Sequence, residues 1–189
     1  MSLVVARLKA DLLVRFGVMI SSTVEDLAQE REAAERAILG LRLTRFRAER
    51  FGSVSHSPLV ICALLAEQCN IFILIIGERY GSIIKSKDIS VVEFEYNVAH
   101  EQDPGKILVY VKNGVNREPR LEEFLKRVQD FEHGYFTSSF TTPKELYESI
   151  QRDIARWLTS HVKQNNQRNS RPSHDLSLQL TGDSLSLYP

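Results

Sequence analysis

The run Ile71-Phe72-Ile73-Leu74-Ile75-Ile76 is apolar at every position, with Asn70 before it and Gly77 after it. Six residues without polar alternation describe a strand covered on both faces, the condition of a central parallel strand packed between helices. The rest of the chain supplies the covers. Residues 16–20 read as a first strand, after which Val24, Leu27, Ala34, Ile38 and Leu41 recur at helical spacing with charges between them. Residues 42–48, which carry Arg45 and Arg47, read as a half-exposed edge strand, and 58–69 form a second helix. A third helix is expected over 90–102 and a strand over 106–111. Leu121, Phe124, Leu125 and Val128 mark a fourth helix, 135–140 a last strand, and 142–161 a closing helix with Pro143 in its first turn.

Strand and helix alternate throughout, so the simplest architecture is a single α/β domain, a five-stranded parallel doubly wound sheet of flavodoxin-like order 2-1-3-4-5 in three α/β/α layers. That order puts the Arg45 strand at an edge, where its arginines discourage edge-to-edge pairing. The domain is expected over 1–163. Residues 164–189 turn polar and rich in Ser and Asn, as a disordered tail or a linker to a further region would be.

Composition narrows the classes of function. Lys plus Arg and Asp plus Glu are 24 each, so no bulk field draws the protein to nucleic acid or to an anionic membrane. The arginines at 42, 45, 47 and 50 are interrupted by Glu49 and lack an aromatic ladder, which argues against a nucleic-acid partner. Apolar runs fall far short of the roughly 20 residues of a membrane helix. Cys62 and Cys69 lie seven apart in one expected helix, about 10 Å along its axis at about 1.5 Å per residue. That exceeds disulfide reach, and no histidine stands at zinc-ligand spacing, so both read as buried apolar residues of a reduced, cytoplasmic protein, with no metal. The five histidines show no motif spacing and are expected at the surface.

Three polar segments follow strand ends or open helices, where open α/β sheets bind ligands. Ser21-Ser22-Thr23 ends the first strand; Ser22 with Glu25, or Thr23 with Asp26, fits a capping box, and the same hydroxyls and free N–H groups suit a ribose or phosphate. Glu25 and Asp26 beside them repel a bare phosphate. Gly77-Glu78-Arg79-Tyr80-Gly81 leaves the central strand; it is a turn that also offers Arg79 to an anion and Tyr80 to a base. Ser90 and Glu93 form a second capping pair, which accounts for Glu93. Glu95 is different: it shares a helix face with Val91, Val98 and Ala99 and so points inward. A buried carboxylate needs a partner, a raised pKa or an opening onto a cleft, which makes Glu95 either a catalytic candidate or half of an ion pair with Arg79 or Arg15. The chain has no GxxxxGK[ST], GxGxxG or G-x-S-x-G.

The stretches VMISSTVEDLAQEREA, IFILIIGERYGSI and ISVVEFEYNVA resemble the domain of unknown function 4062 family, which carries FISST-x-x-DL-x-x-ER, GxRYG and S-x-T-x-x-E-Y-x-x-A in this order. The resemblance implies a fold like that of Toll/interleukin-1 receptor (TIR) domains and nucleoside 2-deoxyribosyltransferases. It also implies a place in front of NACHT-type signalling ATPases, so self-association or a larger signalling ATPase is the expected partner. The transferases carry G-T-x-x-E-x-G-x-A, whose E-x-x-x-A falls on Glu95 and Ala99. By that resemblance Glu95 is catalytic, and the activity is that of an NAD(P) glycohydrolase or a deoxyribosyltransferase-like hydrolase. NAD or another nucleotide is the substrate or ligand, and no metal or other cofactor is needed. Ser21, Ser22 and Thr23 would hold ribose or phosphate, and Arg79 and Tyr80 would frame the pocket. Val92 stands where both groups usually have Thr, which removes a hydroxyl from beside the carboxylate. The alternative is a non-catalytic module that makes homotypic contacts or senses nucleotide within a larger signalling NTPase.

Overall fold

The computed structural model describes residues 16–46 and 57–169, with side chains described through 161. The main sheet consists of β1 (Gly17–Ser21), β2 (Thr44–Phe46), β3 (Ile71–Ile76), β6 (Ile107–Lys112) and β7 (Thr137–Phe140). Its strands run parallel in the order β2-β1-β3-β6-β7, which is the flavodoxin-like order with the Arg45 strand at one edge. Arg47 and Arg50, read as part of the same basic strip, lie outside the described residues, and Arg45 is ion-paired with Glu35.

Every residue of β3 is buried, because helices cover both faces of its sheet. The helices are α1 (Ala28–Gly40), α2 (Pro58–Gln68), α3 (Val91–Gln102), α4 (Pro119–Val128) and α5 (Pro143–Asn169). In α4 the four apolar residues spaced at helical period, Leu121, Phe124, Leu125 and Val128, are all buried. The Ser57 hydroxyl accepts from Val60 N to cap α2, and Pro58 occupies its first turn. Contacts divide the chain after Ile154. Leu146, Ile150 and Ile154 of α5 are buried in the first unit; in the second, Trp157 stacks on His161 with ring centroids 3.5 Å apart. The helix continues to Asn169, past the expected change at 163, and 170–189 lie outside the described residues.

Four local expectations need correction. First, α1 does not open on Ser22 or Thr23: its N-cap is Leu27, without a side-chain cap, and 22–27 form a loop. The side chains read as caps are engaged elsewhere. Ser22 Oγ accepts from Arg31, and the Asp26 carboxylate accepts from Glu78 N at 3.0 Å and Arg79 N at 3.3 Å. Second, a short antiparallel hairpin, β4 (Ile83–Ile84) with β5 (Ile89–Ser90), stands between β3 and α3, where the sequence offers too few alternating residues to signal it. Third, Ser90 Oγ does accept from Glu93 N at 3.1 Å, but the Glu93 carboxylate turns to Tyr80 and Arg127 instead of completing the box. Fourth, only Cys69 is buried. Cys62 is half-buried, and neither forms a disulfide. Of the histidines, His133 is exposed, His100 and His161 are half-buried, and His56 and His174 lie outside the described residues. No helix among the described residues is long and apolar enough to cross a membrane.

Candidate functional site

The carboxyl ends of β1 and β3 and the first turn of α3 converge on a cleft of about 360 Å3. Glu95 forms part of its wall together with Ser22, Thr23, Arg79, Val91 and Val92. Its placement follows from helical geometry. The Ser90 cap starts α3 at the sheet's carboxyl edge, and five residues later the Cβ vector points back toward β1. Glu95 is 8% exposed. The Ser21 hydroxyl, at the last position of β1, donates to Glu95 Oε2 at 2.5 Å. Burial pushes the Glu95 carboxyl up from its ordinary value; the bonds from Ser21 and the Cys62 thiol and the positive charge of Arg31 pull it back only in part.

Arg31, one turn into α1, anchors the first loop. Its Nη1 donates to Ser22 O at 3.1 Å and to Ser22 Oγ at 2.8 Å. The second loop is held from two sides. Asp26 binds the N–H groups of Glu78 and Arg79, and Glu118 Oε2 accepts from Tyr80 N at 2.9 Å. Burial raises the Asp26 carboxyl, but the Thr23 hydroxyl and these backbone donors outweigh it and leave the group below the usual carboxylate range. Gly77 is required by this approach, since a Cβ there would stand 2.6 Å from Asp26 Oδ2. Gly81 has φ +91°, which lets the chain turn back along the cleft wall.

Glu95, Ser22, Thr23 and Arg79 thus face one cleft, and Ser21 reaches it through its bond to Glu95. Tyr80 does not line the cleft. Its ring is 4% exposed beneath the Arg120 guanidinium, 4.8 Å away, and its hydroxyl donates to Glu93 Oε2 at 2.5 Å. Arg127 pairs with Glu93 Oε1 at 2.8 Å, so Tyr80 and Glu93 tie the hairpin side of α3 to α4. Arg79 pairs with Glu25 and Glu118, not with Glu95, and Arg15 lies outside the described residues.

The cleft also takes walls that the sequence did not single out: Arg31, Arg45, Phe46, Cys62 and Leu65. For Arg31 the signal was present, as the last residue of the DL-x-x-ER stretch. Cys62 and Phe46 carried none, because only sheet order brings β2 and α2 against the start of α3. Among the described residues there is no group of three or more His, Cys, Asp or Glu able to hold a metal ion. What the cleft offers is one buried carboxylate, hydroxyls and three arginines, a set suited to a sugar bearing anionic groups.

No curated protein matches the chain. Solved structures similar to it include a diflavin flavoprotein A3 from Nostoc sp., with 12% identity over 77% of this chain and 96% of that one at a TM-score of 0.43. The flavodoxin-like domain of a Synechococcus sp. protein is also similar, with 12% identity over 76% of this chain and 98% of that one at a TM-score of 0.45. The family model described as domain of unknown function (DUF4062) matches residues 17–155. With most of its length so matched, the chain belongs to the domain of unknown function 4062 family.

Proposed function

We propose that the protein is a TIR-like signalling or defence effector domain whose cleft cleaves the N-glycosidic bond of NAD or a related nucleotide through Glu95. The observation that carries this reading is a carboxylate that is almost wholly buried, held by Ser21, and yet part of the wall of a cleft at the carboxyl edge. A carboxylate buried beside a specific partner at a cleft on the carboxyl edge of a parallel sheet is placed as a catalytic group needs to be.

In the proposed reaction the bond between the anomeric carbon and the base nitrogen breaks, and the base leaves with the electron pair. Positive charge develops on the ribose. The ionised Glu95, about 3 Å away, stabilises that charge or bonds to the anomeric carbon, and water then completes the hydrolysis. Ser21 fixes the carboxylate's direction, and the Ser22 and Thr23 hydroxyls and Arg79 hold ribose and phosphate. Self-association, or attachment to a larger signalling ATPase, brings such domains together and raises activity.

Val92 supports a second reading. It lines the cleft with a methyl group where a hydroxyl would help bind the sugar, as in a module that binds nucleotide or partners without turnover. Chromatography of NAD and mixed nucleosides after incubation with the protein, dilute and clustered on beads, separates the two. Release of nicotinamide or base that disappears in Glu95→Gln supports the enzyme. Ligand-dependent melting without product supports the sensor. No product and no ligand-dependent melting in either condition overturns both.

A further inference from the structure

At the cleft Arg79, the cation read above as a phosphate holder, already has carboxylate partners. Glu25 lies in the loop after β1 and Arg79 in the loop after β3, and both line the cleft. Their side chains are ion-paired, with the Glu25 side chain 77% exposed and that of Arg79 45% exposed. A second carboxylate, Glu118, has its Oε1 3.9 Å from Arg79 Nε. The backbone beneath is fixed by other groups, since Asp26 binds the N–H of Arg79 and Glu118 binds that of Tyr80. The guanidinium can therefore change partners while its loop stays in place.

Two physical facts then bear on any ligand that enters. Exposed ion pairs contribute little to stability, so exchanging one carboxylate for another anion costs little. A guanidinium binds a phosphate through two parallel N–H bonds, which a single rim carboxylate matches poorly. Glu25 at the same time places a negative charge at the entrance, opposed to any anionic group that approaches.

We infer that the Glu25–Arg79 pair is an exchange latch: an anionic group on the ligand displaces Glu25 from Arg79, and Glu25 sets how strongly the cleft favours phosphorylated over neutral nucleosides. The inference rests on the nucleotide reading of the cleft and adds to it a specificity-determining residue outside the reacting centre. Glu25 is the competitor for the cation, Arg79 the shared partner, and the selected feature is the ligand's phosphate.

The test is calorimetric binding of AMP and of adenosine at low and moderate salt to the unaltered protein, Glu25→Gln, Arg79→Gln and the double variant. Glu25→Gln is expected to raise the AMP-to-adenosine affinity ratio roughly fivefold, about the effect of removing one exposed competing charge. The gain shrinks with added salt and is much smaller in the Arg79→Gln background, where only the direct repulsion between Glu25 and the phosphate is relieved. An unchanged ratio, or an equal gain in the Arg79→Gln background, overturns the latch while leaving nucleotide binding intact. Failure of all four proteins to bind either probe, each with an unaltered melting profile, overturns the latch and the nucleotide reading together.

Discussion

The Ser21 hydroxyl, at the carboxyl end of β1, donates to Glu95 Oε2 at 2.5 Å from across 74 residues of chain. The bond joins the first strand to the first turns of α3 at the floor of the cleft. It supplies a short donor bond that favours the ionised form of a carboxyl which burial pushes toward the neutral one.

Ser21→Ala removes that donor and leaves the buried oxygen less well satisfied. The expected loss is about 1–3 kcal/mol at pH 7. Because the bond favours the ionised form, its loss raises the Glu95 pKa further, and the difference from the unaltered protein narrows as acid protonates the carboxyl. Urea unfolding at pH 7 and near pH 4.5 measures both values; an equal loss at the two pH values would show that Ser21 acts by packing alone.

Glu95 itself sets a pH dependence whose sign is fixed. Its folded pKa is raised above the ordinary 4.5 by burial, so the folded state holds more protons than the unfolded state between those two values. Its contribution to stability is fully present below 4.5 and is lost as pH rises through the folded pKa. Glu95→Gln, which cannot ionise, is expected to melt higher than the unaltered protein near pH 8, with the advantage fading in acid. The proposed hydrolysis needs the carboxylate, so kcat/KM should climb with pH over the same window in which stability falls.

Tyr80→Phe deletes the hydroxyl that donates to buried Glu93 and keeps the ring under Arg120. The cost is about 1–2 kcal/mol, the usual penalty for a buried acceptor deprived of one donor. Since the ring does not line the cleft, nucleotide-induced changes in melting temperature should be unaffected. A variant of normal stability that fails to respond to ligand would return Tyr80 to the binding surface.

Lys106 is 2% exposed, and its Nζ donates to Ala66 O at 2.8 Å, Glu67 O at 2.9 Å and Gln102 Oε1 at 2.7 Å. The ammonium thus satisfies carbonyls at the carboxyl end of α2, against the last turn of α3. Lys106→Met keeps the apolar stem and removes all three bonds, and is expected to cost about 1–3 kcal/mol in denaturant unfolding. A neutral result would mean that water replaces the ammonium at those carbonyls.

Much of the fold was legible because its signals are local. The unbroken apolar run at 71–76 needs helices on both faces, and the strand-helix alternation around it leaves few topologies once crossovers are right-handed. The inward direction of Glu95 was legible for a similar reason, since a helix repeats every 3.6 residues and fixes which side chains share a face. The hairpin at 83–90 was not, because two-residue strands carry too little alternation to distinguish them from a turn.

What lay beyond the sequence were choices between partners. Glu93 and Glu95 sit two apart on one helix, yet one reaches Tyr80 and Arg127 and the other Ser21 at the cleft floor. Asp26 leaves the helix start for the backbone of a loop 52 residues away, and Tyr80 points into the protein instead of toward a ligand. Each of these side chains has several partners of comparable strength within local reach, so local chemistry cannot rank them. The sequence by itself determined the five strands of the main sheet, the helices and the side chains carrying charge to the sheet edge, because periodicity acts over a few residues. Which of those charges are paired, and that Glu95 helps to line the cleft, was decided by the tertiary structure, because those distances are set only when β1, β3 and α3 pack together.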